Sequence, residues 1–292
     1  MKLTRAVFAA LSVLPPPLPL SVACAVDSTL AAEAAPDAVV VETLRGLLRP
    51  AMAELIGSAM FIFIACGSAM TTSLKGAYTV GAGTIGIALT FGMAIFVIAY
   101  SIGHISGGHL NFAVTLTFAA LRKISLLKCG LYFLAQFIGG LIGIGFLKLV
   151  TPIEWWGSCF ASNFVNPDLT VGHAFVAEFI LTFFLMFVVM AACDSNKSNQ
   201  TLVPLAIGMA VFVCHMLAIP ITGCSINPTR SFASSAAASN VDGCNAWDGH
   251  WVFWFGPIFG ALTGGFLYEY CFHEGGYKVD MLIDMYVLRR GQ

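Results

Sequence analysis

The sequence predicts an all-α membrane protein with six transmembrane helices and two re-entrant half-helices arranged as an inverted repeat. Three observations lead to this fold class. Of the 292 residues, 58% are hydrophobic and only 10% are charged, whereas a soluble domain is about a quarter charged. Six apolar runs have the roughly 20 residues that a spanning helix requires. A short motif that ends in asparagine occurs once in each half of the chain.

Each apolar run is predicted to be one transmembrane helix. The loops between the runs are short and rich in Gly, Ser, Asn and Pro, which is typical of turns at a membrane surface. The six predicted spans cover about residues 51–71, 81–103, 127–150, 172–193, 202–221 and 250–272.

The two halves of the chain match one another at a constant spacing. GMAIFV at 92–97 corresponds to GMAVFV at 208–213, and Asn111 corresponds to Asn227, in both cases 116 positions later. Three spans per half is an odd number, so the second half is predicted to insert upside down relative to the first. Such inverted repeats build their site near the bilayer midplane.

Asn111 and Asn227 begin segments that are too short to cross a bilayer. Asparagine is a good N-cap residue, and about ten helical residues after it extend through roughly half the membrane. In an inverted pair the two positive helix ends meet at the midplane and repel cations and protons. The pattern therefore predicts a pore in which both asparagine amides offer N–H groups to passing water.

The loops before the half-helices are expected to line this pore, because backbone at that depth must face water or be buried in protein. Glu54 and Glu178 lie inside predicted spans, where a charge is costly, so they are expected to face the bundle interior. The loop carbonyls expected to line the path belong to Gly107, Gly108, His109, Gly223, Cys224 and Ser225.

Over about residues 50–272 the chain resembles the aquaporin family, of the orthodox water-selective type. The resemblance rests on HISGGHLN at 104–111, YFLAQ at 132–136, GCSINPTRSF at 223–232 and the two Ala-Glu pairs that open the halves. It implies a homotetramer with one pore per subunit. It also implies that Glu54 and Glu178 anchor the re-entrant loops by accepting hydrogen bonds from backbone N–H groups.

The resemblance further implies a selectivity constriction near the extracellular mouth, formed by Phe91, His215, Cys224 and Arg230. A phenyl ring, an imidazole and a guanidinium crowded together leave space for a small polar solute and no apolar wall for a carbon chain. Ser231 stands where glycerol-conducting relatives have aspartate. A mercurial bound to the Cys224 thiol is expected to block the path.

Two positions depart from the family pattern and leave the solute range open. Phe112 replaces proline in the first motif, and Thr229 replaces alanine in the second. The leading prediction is a passive water channel. The alternatives are a channel that also passes glycerol, urea or hydrogen peroxide, and a non-conducting membrane adhesion or structural protein.

The sequence predicts neither an enzyme nor a cofactor. No nucleophile and base pair or cofactor motif accompanies the asparagine motifs. No metal is expected either, because His104 and His109 have no carboxylate or cysteine at ligand spacing. The net charge of -1 gives no reason to expect a nucleic acid, so the expected partners are water, membrane lipid and further copies of the chain.

Basic residues predict the orientation of the bundle in the membrane, with both termini cytoplasmic. The membrane itself is expected to be the plasma membrane. Opposite the basic residues, the loop at 151–170 has no Lys or Arg, and Lys75 is isolated. Cys159 and Cys244 share this extracellular side and are able to pair. The basic residues on the cytoplasmic side are Arg45, Arg49, Arg122, Lys123, Lys128, Lys197, Lys278, Arg289 and Arg290.

A channel domain is predicted over 45–275, with repeat one at about 50–150 and repeat two at about 172–272. Residues 1–44 are expected to be an N-terminal leader or disordered tail. Residues 1–25 fit either a cleaved signal peptide or an uncleaved tail. Residues 276–292 are expected to form a cytoplasmic tail. Ser125 follows a basic pair and is a candidate phosphorylation site.

Overall fold

A computed structural model describes residues 44–72, 83–194 and 200–273. Within these ranges the chain forms eight α-helices and two 3₁₀ helices, Ile153–Ala161 and Gln200–Leu202, and no strand. The all-helical fold class is therefore confirmed. The α-helices are α1 (Leu44–Thr72), α2 (Gly83–Ser106), α3 (Phe112–Ala120), α4 (Leu126–Val150), α5 (Val171–Ala192), α6 (Val203–Thr222), α7 (Pro228–Ala238) and α8 (Val252–Cys271).

The six long helices coincide with the six predicted spans. By length and composition, α1, α2, α4, α5 and α6 are apolar enough to cross a membrane. Helix α8 is also 20 residues long. Its glycines, its tryptophan, Pro257 and Glu269 leave it outside that set of five.

The two remaining α-helices are the predicted half-helices. Helix α3 has 9 residues and α7 has 11, which at about 1.5 Å per residue gives roughly half of a 30 Å hydrocarbon core. Each begins directly after an asparagine in extended conformation, Asn111 (φ -153°) or Asn227 (φ -154°). Both asparagines therefore act as N-caps, as the sequence predicts.

Glycines allow the long helices to approach closely at equivalent places in the two halves. A Cβ at Gly139 would lie 2.2 Å from the Leu55 carbonyl oxygen, and a Cβ at Gly260 would lie 2.2 Å from that of Phe179. These contacts join α1 to α4 in one half and α5 to α8 in the other. The repeated packing fits the repeat seen in the sequence.

The loop between α4 and α5 folds over the end of α6. The backbone N–H groups of Phe164 and Asn166 donate to the carbonyls of Thr222 (3.3 Å) and Ile221 (3.0 Å). The last carbonyls of a helix lack intrahelical partners, so the loop supplies them. The predicted disulfide between Cys159 and Cys244 is present and ties this loop to the segment after α7.

Several sequence predictions fall outside the described residues. They include nearly all of the N-terminal leader or tail, at 1–43, and the C-terminal tail at 276–292. Some of the basic residues from which the orientation is predicted also lie outside the described residues. The orientation therefore stays a prediction. The basic residues of that prediction that lie outside the described ranges are Lys75, Lys197, Lys278, Arg289 and Arg290.

We expect the Cys159–Cys244 disulfide to stabilise the folded channel. It joins positions 85 residues apart, and cross-links closing long loops typically contribute about 2–4 kcal/mol. Cys159→Ser should lower the thermal unfolding midpoint in detergent, and Cys159→Ser/Cys244→Ser should lower it no further. Cys271→Ser, which removes an exposed free thiol, is the control. Peptides carrying Cys159 and Cys244 that separate without a reductant would contradict the pairing.

Candidate functional site

The N-terminal ends of the two half-helices meet through a reciprocal pair of hydrogen bonds. Asn111 Nδ2 donates to the Ile226 carbonyl at 2.7 Å, and Asn227 Nδ2 donates to the Leu110 carbonyl at 2.8 Å. Each amide thus binds the loop that precedes the other half-helix. Since an amide nitrogen carries two hydrogens, each asparagine keeps a second N–H group for another acceptor.

The amide oxygens fix the direction in which these nitrogens point. Asn111 Oδ1 accepts from the Ala113 N–H at 2.9 Å. Asn227 Oδ1 accepts from the Thr229 hydroxyl at 2.7 Å and from the Arg230 N–H at 3.3 Å. Both oxygens therefore face their own helix. Thr229 adds to the second amide a bond that the first lacks.

Glu54 holds the first loop from within the bundle, where its side chain is fully buried. Its Oε1 accepts from the Ser106 hydroxyl (2.6 Å) and the His109 N–H (2.9 Å), and its Oε2 accepts from the Leu110 N–H (2.7 Å) and Gln136 Nε2 (2.9 Å). Four donors converge on one carboxylate, which is how a buried charge is compensated.

Glu178 occupies the equivalent position in the second half and is also fully buried. It accepts from the Thr222 hydroxyl (2.6 Å) and from the backbone N–H groups of Ser225 (2.9 Å) and Ile226 (2.8 Å). Ile226 has a φ of 44°, a conformation that a β-branched residue adopts only when its surroundings enforce it. The hydrogen bonds to Glu178 supply that enforcement.

Three of the four predicted constriction residues contact one another. The ring centroids of Phe91 and His215 are 4.2 Å apart, and Arg230 Cζ lies 5.3 Å from the centroid of the Phe91 ring. All three residues are at most 2% exposed. Cys224 is also fully buried, in the loop before Asn227.

Two polar atoms at this constriction have no partner in the protein. His215 Nδ1 is 2.9 Å from the Val211 carbonyl, and because a carbonyl only accepts, Nδ1 carries the hydrogen. His215 Nε2 is then an acceptor, and like Arg230 Nε it is buried without a hydrogen bond. Unpaired buried polar atoms are costly, so both atoms are suited to bind water.

A cavity of about 50 Å³ is lined by His215, both asparagines, Lys123 and Ile124, among others. A water molecule requires roughly 10–15 Å³ of such volume, so the cavity has space for a few. Its other walls are mainly apolar. Of the six predicted loop residues, Gly107, Gly108, His109 and Ser225 line this cavity, and Gly223 and Cys224 do not.

The remaining sequence-predicted positions have defined surroundings. Phe112, in place of proline, packs its ring 4.5 Å from that of Phe133, so its bulk lies outside the cavity lining. Ser125 is the N-cap of α4, and its hydroxyl accepts from the Lys128 N–H at 3.2 Å. Asn163 contacts Arg230 from the loop after α4. Nothing in the sequence distinguishes it from other loop asparagines.

We expect Glu178→Gln to destabilise the protein markedly. A glutamine has one acceptor oxygen and turns an NH₂ group toward backbone donors, and each buried donor left unpaired costs about 1–3 kcal/mol. The thermal midpoint of the purified protein should fall, as it should for Glu54→Gln. The control is Glu154→Gln, because Glu154 is exposed. Equal midpoints for Glu178→Gln and the wild type would contradict the loop-anchoring role.

Comparisons of the sequence with known proteins identify the family of this chain. The profile of the family described as "Major intrinsic protein" matches residues 42–268. Aquaporin-4 of Rattus norvegicus is 40% identical over 222 residues, covering 75% of this chain and 66% of that protein. "Probable aquaporin PIP2-6" of Oryza sativa subsp. japonica is 35% identical over 237 residues, covering 79% and 83%.

A solved structure shows the same fold. The aquaglyceroporin from Plasmodium falciparum superposes with a TM-score of 0.65 at 22% identity, covering 82% of this chain and 99% of that one. The chain therefore belongs to the major intrinsic protein family, whose aquaporins are channels and not enzymes, and it is a multi-pass integral membrane protein.

Proposed function

We propose that this protein is a passive water channel that conducts water down osmotic gradients, excludes protons and ions, and serves osmoregulation. The observation that carries the proposal is the meeting of two half-helix N-termini, each tipped by an asparagine amide, along a narrow cavity. Water is the solute that such a cavity admits most readily.

Charge exclusion follows from the same arrangement. The positive ends of two helix dipoles meet at Asn111 and Asn227. The second N–H group of each amide is available to a water oxygen, which turns the hydrogens of that water away along the path. Arg230 adds a full positive charge nearby. Cations and protons are therefore repelled, whereas neutral water is not.

The constriction supports water over larger solutes. With Phe91 and His215 rings 4.2 Å apart and Arg230 against the same phenyl ring, the opening admits a solute only when these side chains shift. Because glycerol is larger than water, it requires the larger shift. The orphaned His215 Nε2 and Arg230 Nε give water one acceptor and one donor.

Several further parts belong to this proposal. The protein assembles as a homotetramer with one pore per subunit, as its resemblance to the aquaporins implies. It resides in the plasma membrane with both termini cytoplasmic. The carbonyls of Gly107, Gly108, His109 and Ser225 guide water, and those of Gly223 and Cys224 complete the path when it opens. Phosphorylation of Ser125 would add charge at the start of α4.

The central test is osmotic shrinkage of proteoliposomes followed by stopped-flow light scattering. We expect shrinkage to be much faster than in protein-free vesicles, with no uptake in isotonic glycerol or urea gradients and no added proton leak. Shrinkage at the protein-free rate would favour the adhesion or structural alternative. Rapid uptake of glycerol, urea or hydrogen peroxide would favour the broader channel.

Mercury should inhibit the water permeability through Cys224, because the sequence assigns this thiol to the constriction, where a bound mercurial would fill the path. We expect inhibition that a thiol reagent reverses and that Cys224→Ser abolishes. Cys271→Ser is the matched control, because Cys271 is an exposed free cysteine at the end of α8. Persistent inhibition of Cys224→Ser would assign the mercury site to another residue.

A further inference from the structure

We infer that Asn163, in the loop between α4 and α5, is a positioning residue for the Arg230 guanidinium and so sets which solutes pass the constriction. The inference rests on the proposed function. It concerns a loop residue distant in sequence from both asparagine motifs.

The side chain of Asn163 is completely buried, and both ends of its amide are used. Its Oδ1 accepts from Arg230 Nη1 and from the Ser231 hydroxyl, the latter at 2.7 Å, and its Nδ2 donates to the Thr222 carbonyl at 3.0 Å. The amide therefore has a single orientation, with its oxygen directed at the guanidinium. A hydrogen bond from an ionised donor is among the stronger ones in proteins.

Arg230 has few other fixed contacts. Its Nη1 is also 3.3 Å from the Ser234 hydroxyl, and Phe91 lies beside its Cζ. Within residues 44–72, 83–194 and 200–273, the ion pairs join Lys123 to Glu269 and His273 to Asp194, and none involves Arg230. The neutral amide thus orients the guanidinium without cancelling the positive charge that repels cations.

Asn163 is held firmly by the loop that carries it. Four residues earlier, Cys159 is linked to Cys244 in the segment after α7. On the other side, the Phe164 and Asn166 N–H groups are bound to the end of α6. The loop is therefore fastened on both sides of Asn163, and its amide cannot follow Arg230 if the guanidinium moves away.

Asn166 provides a matched control in the same loop. Its side chain is half-buried, and its Nδ2 donates to the Pro220 carbonyl at 2.8 Å. It therefore shares with Asn163 the role of a loop anchor on α6 but has no hydrogen bond to Arg230. A merely structural loop role predicts similar effects for both residues, whereas the positioning role predicts an effect on selectivity for Asn163 alone.

The test reconstitutes the full chain and measures the water, urea and Na⁺ permeabilities of each variant. Asn163→Ala should raise urea uptake from the rate of protein-free vesicles to a clearly measurable rate, and so raise the urea-to-water permeability ratio, because the guanidinium loses the hydrogen bond to the amide oxygen that holds it in place. Asn163→Asp keeps the acceptor toward Arg230 and adds a negative charge, although it loses the donor to the Thr222 carbonyl. It should therefore keep the wild-type urea-to-water ratio and raise the Na⁺ leak. Asn166→Ala should leave every ratio unchanged.

Two outcomes would overturn the inference. One is an Asn163→Ala channel that conducts water with the wild-type urea-to-water ratio, and the other is an equal change in Asn166→Ala. If Asn163→Ala does not fold, the near-isosteric Asn163→Asp decides, since an unchanged Na⁺ leak there also refutes it. Absence of water permeability in the wild type would instead refute the proposed function.

Discussion

The constraint on which this structure depends is that backbone N–H and C=O groups inside a membrane must find partners within the protein. The two loops before the half-helices expose such groups near the middle of the bundle. Glu54 and Glu178 resolve this by accepting hydrogen bonds from consecutive backbone N–H groups. Two carboxylates that would be costly in lipid thereby become the fixed points around which the loops fold.

The inverted repeat is symmetric in its backbone and asymmetric in its chemistry. Glu54 and Glu178 each accept from two consecutive loop N–H groups and one hydroxyl, and both asparagines donate to the opposite loop. Only in the second half does an arginine follow closely after the asparagine and a threonine hydroxyl donate to the asparagine side chain. The symmetric part builds the cavity, and in our proposal the asymmetric part determines what enters from one end.

The helices could be predicted from the sequence because their lengths and hydrophobicity are local properties. The six apolar runs fall within or close to the six long helices, and Asn111 and Asn227 begin the half-helices as N-caps. The resemblance to the aquaporin family also grouped Phe91, His215, Cys224 and Arg230. The structure places the first, second and fourth of these in contact.

The geometry of the loop between α4 and α5 could not be predicted from the sequence, because contacts with distant residues impose it. Cys159, Phe160 and Ala161 have positive φ values of 53°, 52° and 54°, which no propensity of these residue types favours. This turn buries Phe160 and directs the following residues across the end of α6. The burial of Asn163 against Arg230 follows from that path, and no pattern around Asn163 signals it.

The disulfide between Cys159 and Cys244 bears on the cellular compartment that this end of the protein faces. Thiols stay reduced in the cytosol, and cystines persist in the secretory lumen and outside the cell. We therefore expect the end of the bundle that bears Arg230 to face an oxidising compartment, an expectation that does not depend on where lysines and arginines fall. In a membrane whose two faces were both reducing, the loop that carries Asn163 would be fastened only at its α6 side.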